Sequence, residues 1–119
     1  MELIKMKILD SKISAEDLRI WAKEGFGNMV KAVVDVDRAL VAVDAELHAD
    51  LEALLLEHGS KQNSLWGINF YPDASEEDFV EFDSMINMRP SQGNRSRGVD
   101  NKETQQKIIQ VVNQWVKNE

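Results

Sequence analysis

Met29-Val-Lys-Ala-Val-Val-Asp-Val-Asp-Arg-Ala-Leu-Val-Ala-Val-Asp-Ala-Glu-Leu47 is the stretch on which the fold class turns. Two valine-rich runs, Met29–Val36 and Leu40–Leu47, flank the short break Asp37-Arg38-Ala39. β-Branched side chains suit the pleated, half-buried surface of a strand. Two such runs joined by a few polar residues read as an antiparallel hairpin. The break lacks Asn-Gly, the pair that accepts the positive φ angles of the tightest hairpin turns.

Working outward, Leu3–Leu9 reads as a first strand, with Leu3, Lys5, Lys7 and Leu9 on one face and Ile4, Met6 and Ile8 on the other. Ser14-Ala-Glu-Asp17 resembles a capping box. The helix it opens carries Leu18, Trp21, Ala22 and Phe26 at helical spacing, with Gly25 or Gly27 as its stop. Beyond the hairpin, Ala49–His58 reads as a short, well-buried helix that is apolar around much of its circumference. Asp50 and Glu52 suit its positive end, and Gly59 follows its last turn.

Leu65–Tyr71 and Phe79–Arg89 read as a second strand pair around the acidic loop Pro72–Asp78, with Pro90 ending the later strand. Asp100-Asn-Lys-Glu103 can cap a final helix whose apolar face is Ile108, Ile109, Val112, Trp115 and Val116. The order β-α-β-β-α-β-β-α, with successive hairpins, predicts an α+β fold. Its mainly antiparallel sheet of about four to five strands is packed by three helices, in one domain over 1–119.

Composition narrows the classes. A chain with 43% hydrophobic and 29% charged residues folds as a globule rather than remaining disordered. No run approaches the ~20 apolar residues of a membrane span, so no membrane partner is expected. Residues 1–7 lack the features of a signal peptide, which makes the cytoplasm the expected location. The absence of cysteine removes disulfides, thiolate zinc sites and cysteine nucleophiles. A net charge of −7 disfavours nucleic acid as a general partner.

The charge is unevenly distributed. Asp35–Glu57 holds seven acids against Arg38 alone, and Asp73–Asp83 holds six acids and no base. The balance reverses in Ser84–Val99, where Arg89, Arg95 and Arg97 occur without an acid. The segment Asn87-Met-Arg-Pro-Ser-Gln-Gly-Asn-Arg-Ser-Arg97 is therefore the candidate ligand-binding element. Guanidinium forks match carboxylate and phosphate oxygens. Gly93 and Gly98 permit close backbone approach, and a helix beginning near Asp100 would place its positive end nearby. On this reading Asn87, Arg89, Gln92, Asn94, Arg95 and Arg97 bind a small anionic ligand. The competing reading pairs those arginines internally with Glu81, Asp83 and Glu57 and leaves a protein partner for the acidic faces.

Three other features have plainer readings. His48, Asp50, Glu57 and His58 are metal-ligand types, but the helix separates the two groups by ~15 Å, so no metal site is assigned. His48 remains a candidate general base without a nucleophile placed beside it. Trp66 is expected in the core, and Asn69 and Tyr71 on a face opposite Glu81 and Asp83. No serine lies in Gly-x-Ser-x-Gly, and neither a phosphate-binding loop nor a dinucleotide fingerprint occurs, so no cofactor is expected.

The set His48-Ala-Asp50, Leu54-Leu-Leu-Glu57, Gly59-Ser-Lys-Gln62, Leu65-Trp-Gly-Ile-Asn69, Tyr71-Pro72, Ile86-Asn87 and Arg89-Pro-Ser-Gln-Gly-Asn-Arg-Ser96 resembles an uncharacterised prokaryotic family. It is the family described as domain of unknown function 5674, and the likeness runs along nearly the whole chain. The resemblance implies a small stand-alone prokaryotic domain and carries over no activity, substrate or cofactor. Three functional classes follow in order: an anion-binding domain, an interaction or structural module, and an RNA-active toxin-like or ribonuclease-like domain resting on His48 and the arginines.

Overall fold

The valine-rich hairpin is the centre of the sheet. A computed structural model describes residues 6–117 and places β3 (Val30–Asp35) and β4 (Leu40–Val43) as antiparallel neighbours. Asp35 replaces the missing Asn-Gly signal in the turn. Its Oδ1 accepts the Asp37 and Arg38 amides at 2.9 Å each, while Ala39 takes a φ of 56°. An aspartate that collects the amides following it closes a turn as a backbone carbonyl would. Asp35 Oδ2 accepts the Ser60 hydroxyl at 2.6 Å, and Arg38 donates to the His58 carbonyl at 2.7 Å. These bonds tie the hairpin to the end of the next helix.

Three shorter or longer strands complete the sheet: β1 (Lys7–Ile8), β5 (Leu65–Phe70) and β6 (Val80–Glu81). Its order is β1-β4-β3-β5-β6, and every neighbouring pair is antiparallel. The first strand expected over Leu3–Leu9 is seen only at Lys7–Ile8; residues 3–5 lie outside the described residues. A second, two-stranded sheet pairs β2 (Ile13–Ser14) with β7 (Val116–Lys117) in parallel. Val116, read from sequence as helical, belongs to that strand.

Period-two alternation separates two apolar layers. Val30, Ala32 and Val34 of β3, Val41 and Val43 of β4, and Ile68 and Phe70 of β5 pack with α1 (Ala15–Glu24) and α3 (Lys102–Trp115). Val33, Ala42 and Leu65 face the other way, onto Leu51 and Leu55 of α2 (His48–Glu57). The chain is thus α+β, with helices on both faces of a mainly antiparallel sheet. Among the described residues, no helix is long and apolar enough to cross a membrane.

The helices follow their caps. Ser14 Oγ accepts the Asp17 amide and Asp17 accepts the Ser14 amide, both at 3.1 Å, which completes the expected capping box. Gly25 closes α1, so Phe26 lies beyond the helix and is 48% exposed. Asn101 caps α3 by accepting the Thr104 amide at 3.0 Å. α2 begins one residue earlier than its periodicity indicates, at His48, behind Leu47, whose side chain makes no capping bond.

The largest departure from expectation is at Phe79–Arg89. Only Val80–Glu81 is strand; the chain then enters 3₁₀ turns at Met85–Asn87 and Pro90–Gln92. Ser84 Oγ accepts the Ile86 amide at 3.2 Å, a local bond that competes with the sheet ladder. Side chains take over the vacated edge of β5. Asn87 receives the Gly67 amide at 2.8 Å and donates to the Gly67 carbonyl at 3.0 Å. Arg89 donates to the Leu65 carbonyl at 2.9 Å and the Gln62 carbonyl at 2.6 Å. Buried backbone groups need partners, and here an amide and a guanidinium supply what a longer β6 would have supplied.

Candidate functional site

The polar segment from Asn87 to Arg97 is largely engaged with the protein itself. Asn87 is fully buried and, besides its two bonds to Gly67, donates to the Arg97 carbonyl at 2.9 Å. Asn94 Nδ2 lies within 2.7–3.1 Å of the Asn87, Ser96 and Gly98 carbonyls, and its Oδ1 accepts the Asp100 amide at 2.8 Å. The Arg89 guanidinium also lies over the Trp66 ring, 4.2 Å from its centroid. Trp66 is therefore half-buried, packed on the core by one side and stacked by Arg89, rather than wholly interior.

Arg97 pairs with Asp83 at 2.8 Å, whereas Glu81 accepts from Asn69 and Tyr71 instead of an arginine. Glu57 is exposed and forms no ion pair among the described residues. Gln92 and Arg95 are exposed. Of the six candidate residues, Asn87, Arg89 and Asn94 build the loop, Arg97 faces Asp83, and Gln92 and Arg95 project at the surface.

A different set of side chains converges on the α2 side of the sheet, next to the Arg97–Asp83 pair. Register places Lys31 of β3 beside Asn69 of β5, and Asn69 beside Glu81 of β6. Alternation puts Lys31 and Asn69 on the face that carries Val33 and Leu65, the face covered by α2. Leu51 and Leu55 cover the Val33–Leu65 end, so this polar row lies beyond the helix's first turn.

His48, the first residue of α2, bridges helix and row. Its Nε2 lies 2.8 Å from the Ile68 carbonyl oxygen. A carbonyl only accepts, so Nε2 carries the proton in the neutral ring and Nδ1 is the bare nitrogen. Close packing fixes the ring: a Cβ on Gly67 would stand 3.2 Å from His48 Cδ2 and 2.5 Å from Ser84 Cβ. Only glycine lets the helix start and the Ser84 turn approach the strand together. Burial holds the His48 pKa below its ordinary value, and the Lys31 ammonium adds to this; the Ile68 carbonyl, Asn69 and Asp83 oppose it.

Asn69 is the buried member of the row, with 4% of its surface exposed. Its Nδ2 donates to Glu81 Oε1 at 2.9 Å and to the Asp83 carbonyl at 3.2 Å. Both partners accept, so the amide orientation is determined: a flipped amide would set oxygen against oxygen. The remaining atom, Oδ1, is buried and has no hydrogen-bond partner among the described residues. Tyr71 donates to the same Glu81 oxygen at 3.2 Å, and burial together with the Glu81 charge pushes its phenol pKa up.

Charge at the site is mixed. Glu81 and Asp83 are acidic; Arg97 compensates Asp83, and Lys31 has no carboxylate within ion-pair distance among the described residues. The N-terminal turn of α2 contributes a third positive element, since no side chain caps it. Among the described residues no group of three His, Asp or Glu side chains is arranged to hold a metal. His58 stands at the far end of α2, its Nδ1 2.9 Å from the Leu54 carbonyl oxygen.

The sequence places Asn69 and Tyr71 opposite Glu81 and Asp83, and Asn69 and Tyr71 do meet Glu81, but it offers no means of joining His48 to them. Lys31 was missed as a site residue. Its signal was a lone cation inside the apolar run Val30–Val34, on a strand otherwise given to the core.

These features define an α+β domain with helices on both faces of an antiparallel sheet and a polar cluster where one helix begins. The chain matches the family described as "Protein of unknown function (DUF5674)" over residues 7–115, and it belongs to that family. No curated protein and no solved structure matches it.

Proposed function

We propose that this domain binds a small oxyanion-bearing ligand, a carboxylate or phosphate compound, at the start of α2. One observation carries the reading: Lys31 and Asn69, register neighbours on two strands, lie on the sheet face where His48 opens α2, whose N-terminus has no side-chain cap. Helix starts offer amide donors and a positive dipole end to anions. Among the described residues the Lys31 ammonium has no carboxylate at ion-pair distance and lies 5.3 Å from the Phe26 ring centroid, and Arg97 stands across Asp83 at the border of the cluster. The arginine-rich segment enters this reading mainly as scaffold. Arg89 and Asn87 hold the edge of β5, Asn94 ties the loop together, and Arg97 is the member nearest the site.

A thermal-shift screen of sulfate, phosphate monoesters and small carboxylates at constant ionic strength tests the reading. Stabilisation of the wild type but not of Lys31→Met is the expected result. Equal response in both proteins, or no response to any oxyanion, rules it out.

The interaction-module reading draws on a separate observation. Leu47, Leu56, Met85 and Met88 are large apolar residues 41–65% exposed. They occur on α2 and its flanks and on the Met85–Asn87 turn that packs near it. Strictly monomeric behaviour across a wide concentration range, with no change on Met85→Lys, counts against self-association through them. The ribonuclease-like reading has less to stand on, because Arg89 is engaged in the loop, Arg97 meets Asp83, and His48 is buried.

A further inference from the structure

The His48 ring lies against the Ile68 carbonyl and holds one proton when neutral. Nε2 faces the Ile68 carbonyl at 2.8 Å, and the side chain of Asn69, the next residue of β5, whose uncommitted atom is its amide oxygen, favours the charged ring. That oxygen cannot be exchanged for the amide nitrogen, because Nδ2 is committed to Glu81 and the Asp83 carbonyl. Among the described residues Asn69 Oδ1 is consequently left buried without a donor. An imidazolium would have a second N–H to offer, whereas the neutral ring has none.

Burial and the surrounding charges together hold the His48 pKa below its ordinary value. Burial opposes ring protonation most, and Lys31 from β3 adds to it; Asp83 favours protonation, with its own charge partly offset by Arg97. Glu81 is engaged by Asn69 and Tyr71, Asp44 follows β4 with its amide on the Lys31 carbonyl, and Asp50 occupies the first turn of α2. An anion seated between Lys31 and the helix start would neutralise the cation that opposes ring protonation. It would add a negative charge beside the ring as well.

We propose that the site takes up its oxyanion together with a proton, which is held by His48 between Ile68 and Asn69. The proposal rests on the oxyanion-binding reading above and specifies its protonation: ligand affinity rises as pH falls, by up to tenfold per pH unit while His48 is neutral in the free protein. Anion and proton each make the other's binding more favourable, as linkage requires.

The test is an NMR titration of His48 in the intact protein, with sodium sulfate as a non-titrating probe against sodium chloride at matched ionic strength. Backbone amides of Lys31, His48 and Ala49 report binding, and the His48 ring nitrogens report protonation. His58, at the other end of α2, is the internal control. Sulfate is expected to shift those amides and to raise the His48 pKa by about 1–3 pH units, the range for an opposite charge within a few ångströms. His58 is expected to be unchanged.

Amide shifts at the site with an unmoved His48 pKa would overturn proton coupling and leave the binding reading standing. No amide response between pH 5.5 and 8 would overturn both. A His48→Gln variant, which keeps an amide donor for the Ile68 carbonyl, is expected to bind sulfate with no pH dependence in that window. If that variant does not fold, the wild-type ring titration decides alone.

Discussion

Gly67 shows how much of the site depends on one missing methyl group. A Cβ there would fall 2.5 Å from Ser84 Cβ and 3.2 Å from the His48 ring. Gly67→Ala is expected to destabilise the protein by about 1–3 kcal/mol, the usual cost of forcing atoms into a filled interior, measured by urea unfolding. It should also move the His48 ring resonances; an unchanged stability would mean that Ser84 is not held against the strand. Asn87→Ala leaves the Gly67 amide and carbonyl buried without their partners, an expected loss of about 1–3 kcal/mol for each unsatisfied group. His48 supplies a pH dependence whose sign is determined. Its folded-state pKa lies below the ordinary 6.5, so the unfolded chain binds the proton more readily. Its stabilising contribution is then fully present above about pH 6.5 and is lost as pH falls through the folded-state value. In unfolding experiments from pH 8 to 5.5 without oxyanions, wild type should lose stability toward acid, and His48→Gln should flatten that slope. A steeper slope in the variant would contradict the account.

At the level of elements, the central hairpin, three helices and antiparallel sheet class were readable because each rests on local chemistry. Valine-rich runs make β3 and β4, the Ser14–Asp17 box starts α1, and spacing of Ile108 and Val112 sets the buried face of α3. What could not be read was how side chains replace a strand. Val80, Phe82, Ile86 and Met88 have the alternation of a strand, yet Ser84 turns the chain and only Val80–Glu81 pairs. The bonds that compensate join Asn87 to Gly67 and Arg89 to Leu65, 20 and 24 residues apart, with no local pattern to announce them. The same distance problem concealed the site. Lys31, His48 and Asn69 become neighbours only through sheet register and the start of α2. The edge role of the arginine-rich segment has its own consequence. Arg89→Lys loses the two-carbonyl fork and the planar stack on Trp66, which a lysine cannot reproduce. Hydrogen exchange should then accelerate at the Gly67 and Arg89 amides while the β3–β4 amides keep wild-type rates; uniform acceleration would mean that the segment is not a separate edge element.

Across the whole molecule, two helices on one sheet face and one on the other leave the polar row only at the end where α2 begins. The core supports this arrangement from behind: Leu55 is fully buried between α2 and the sheet. Leu55→Ala is expected to cost about 2–5 kcal/mol by removing apolar contact and leaving a cavity, visible as a lowered urea midpoint. The central claim is that the arginine-rich segment holds the sheet edge while the anion site lies at Lys31, His48 and Asn69. The most direct measurement is a map of backbone amide shifts on titration with sulfate at constant ionic strength. The account predicts saturable shifts at Lys31, His48, Ala49 and Asn69, with Gln92–Arg95 unmoved. Saturable shifts confined to Gln92–Arg95 would contradict it.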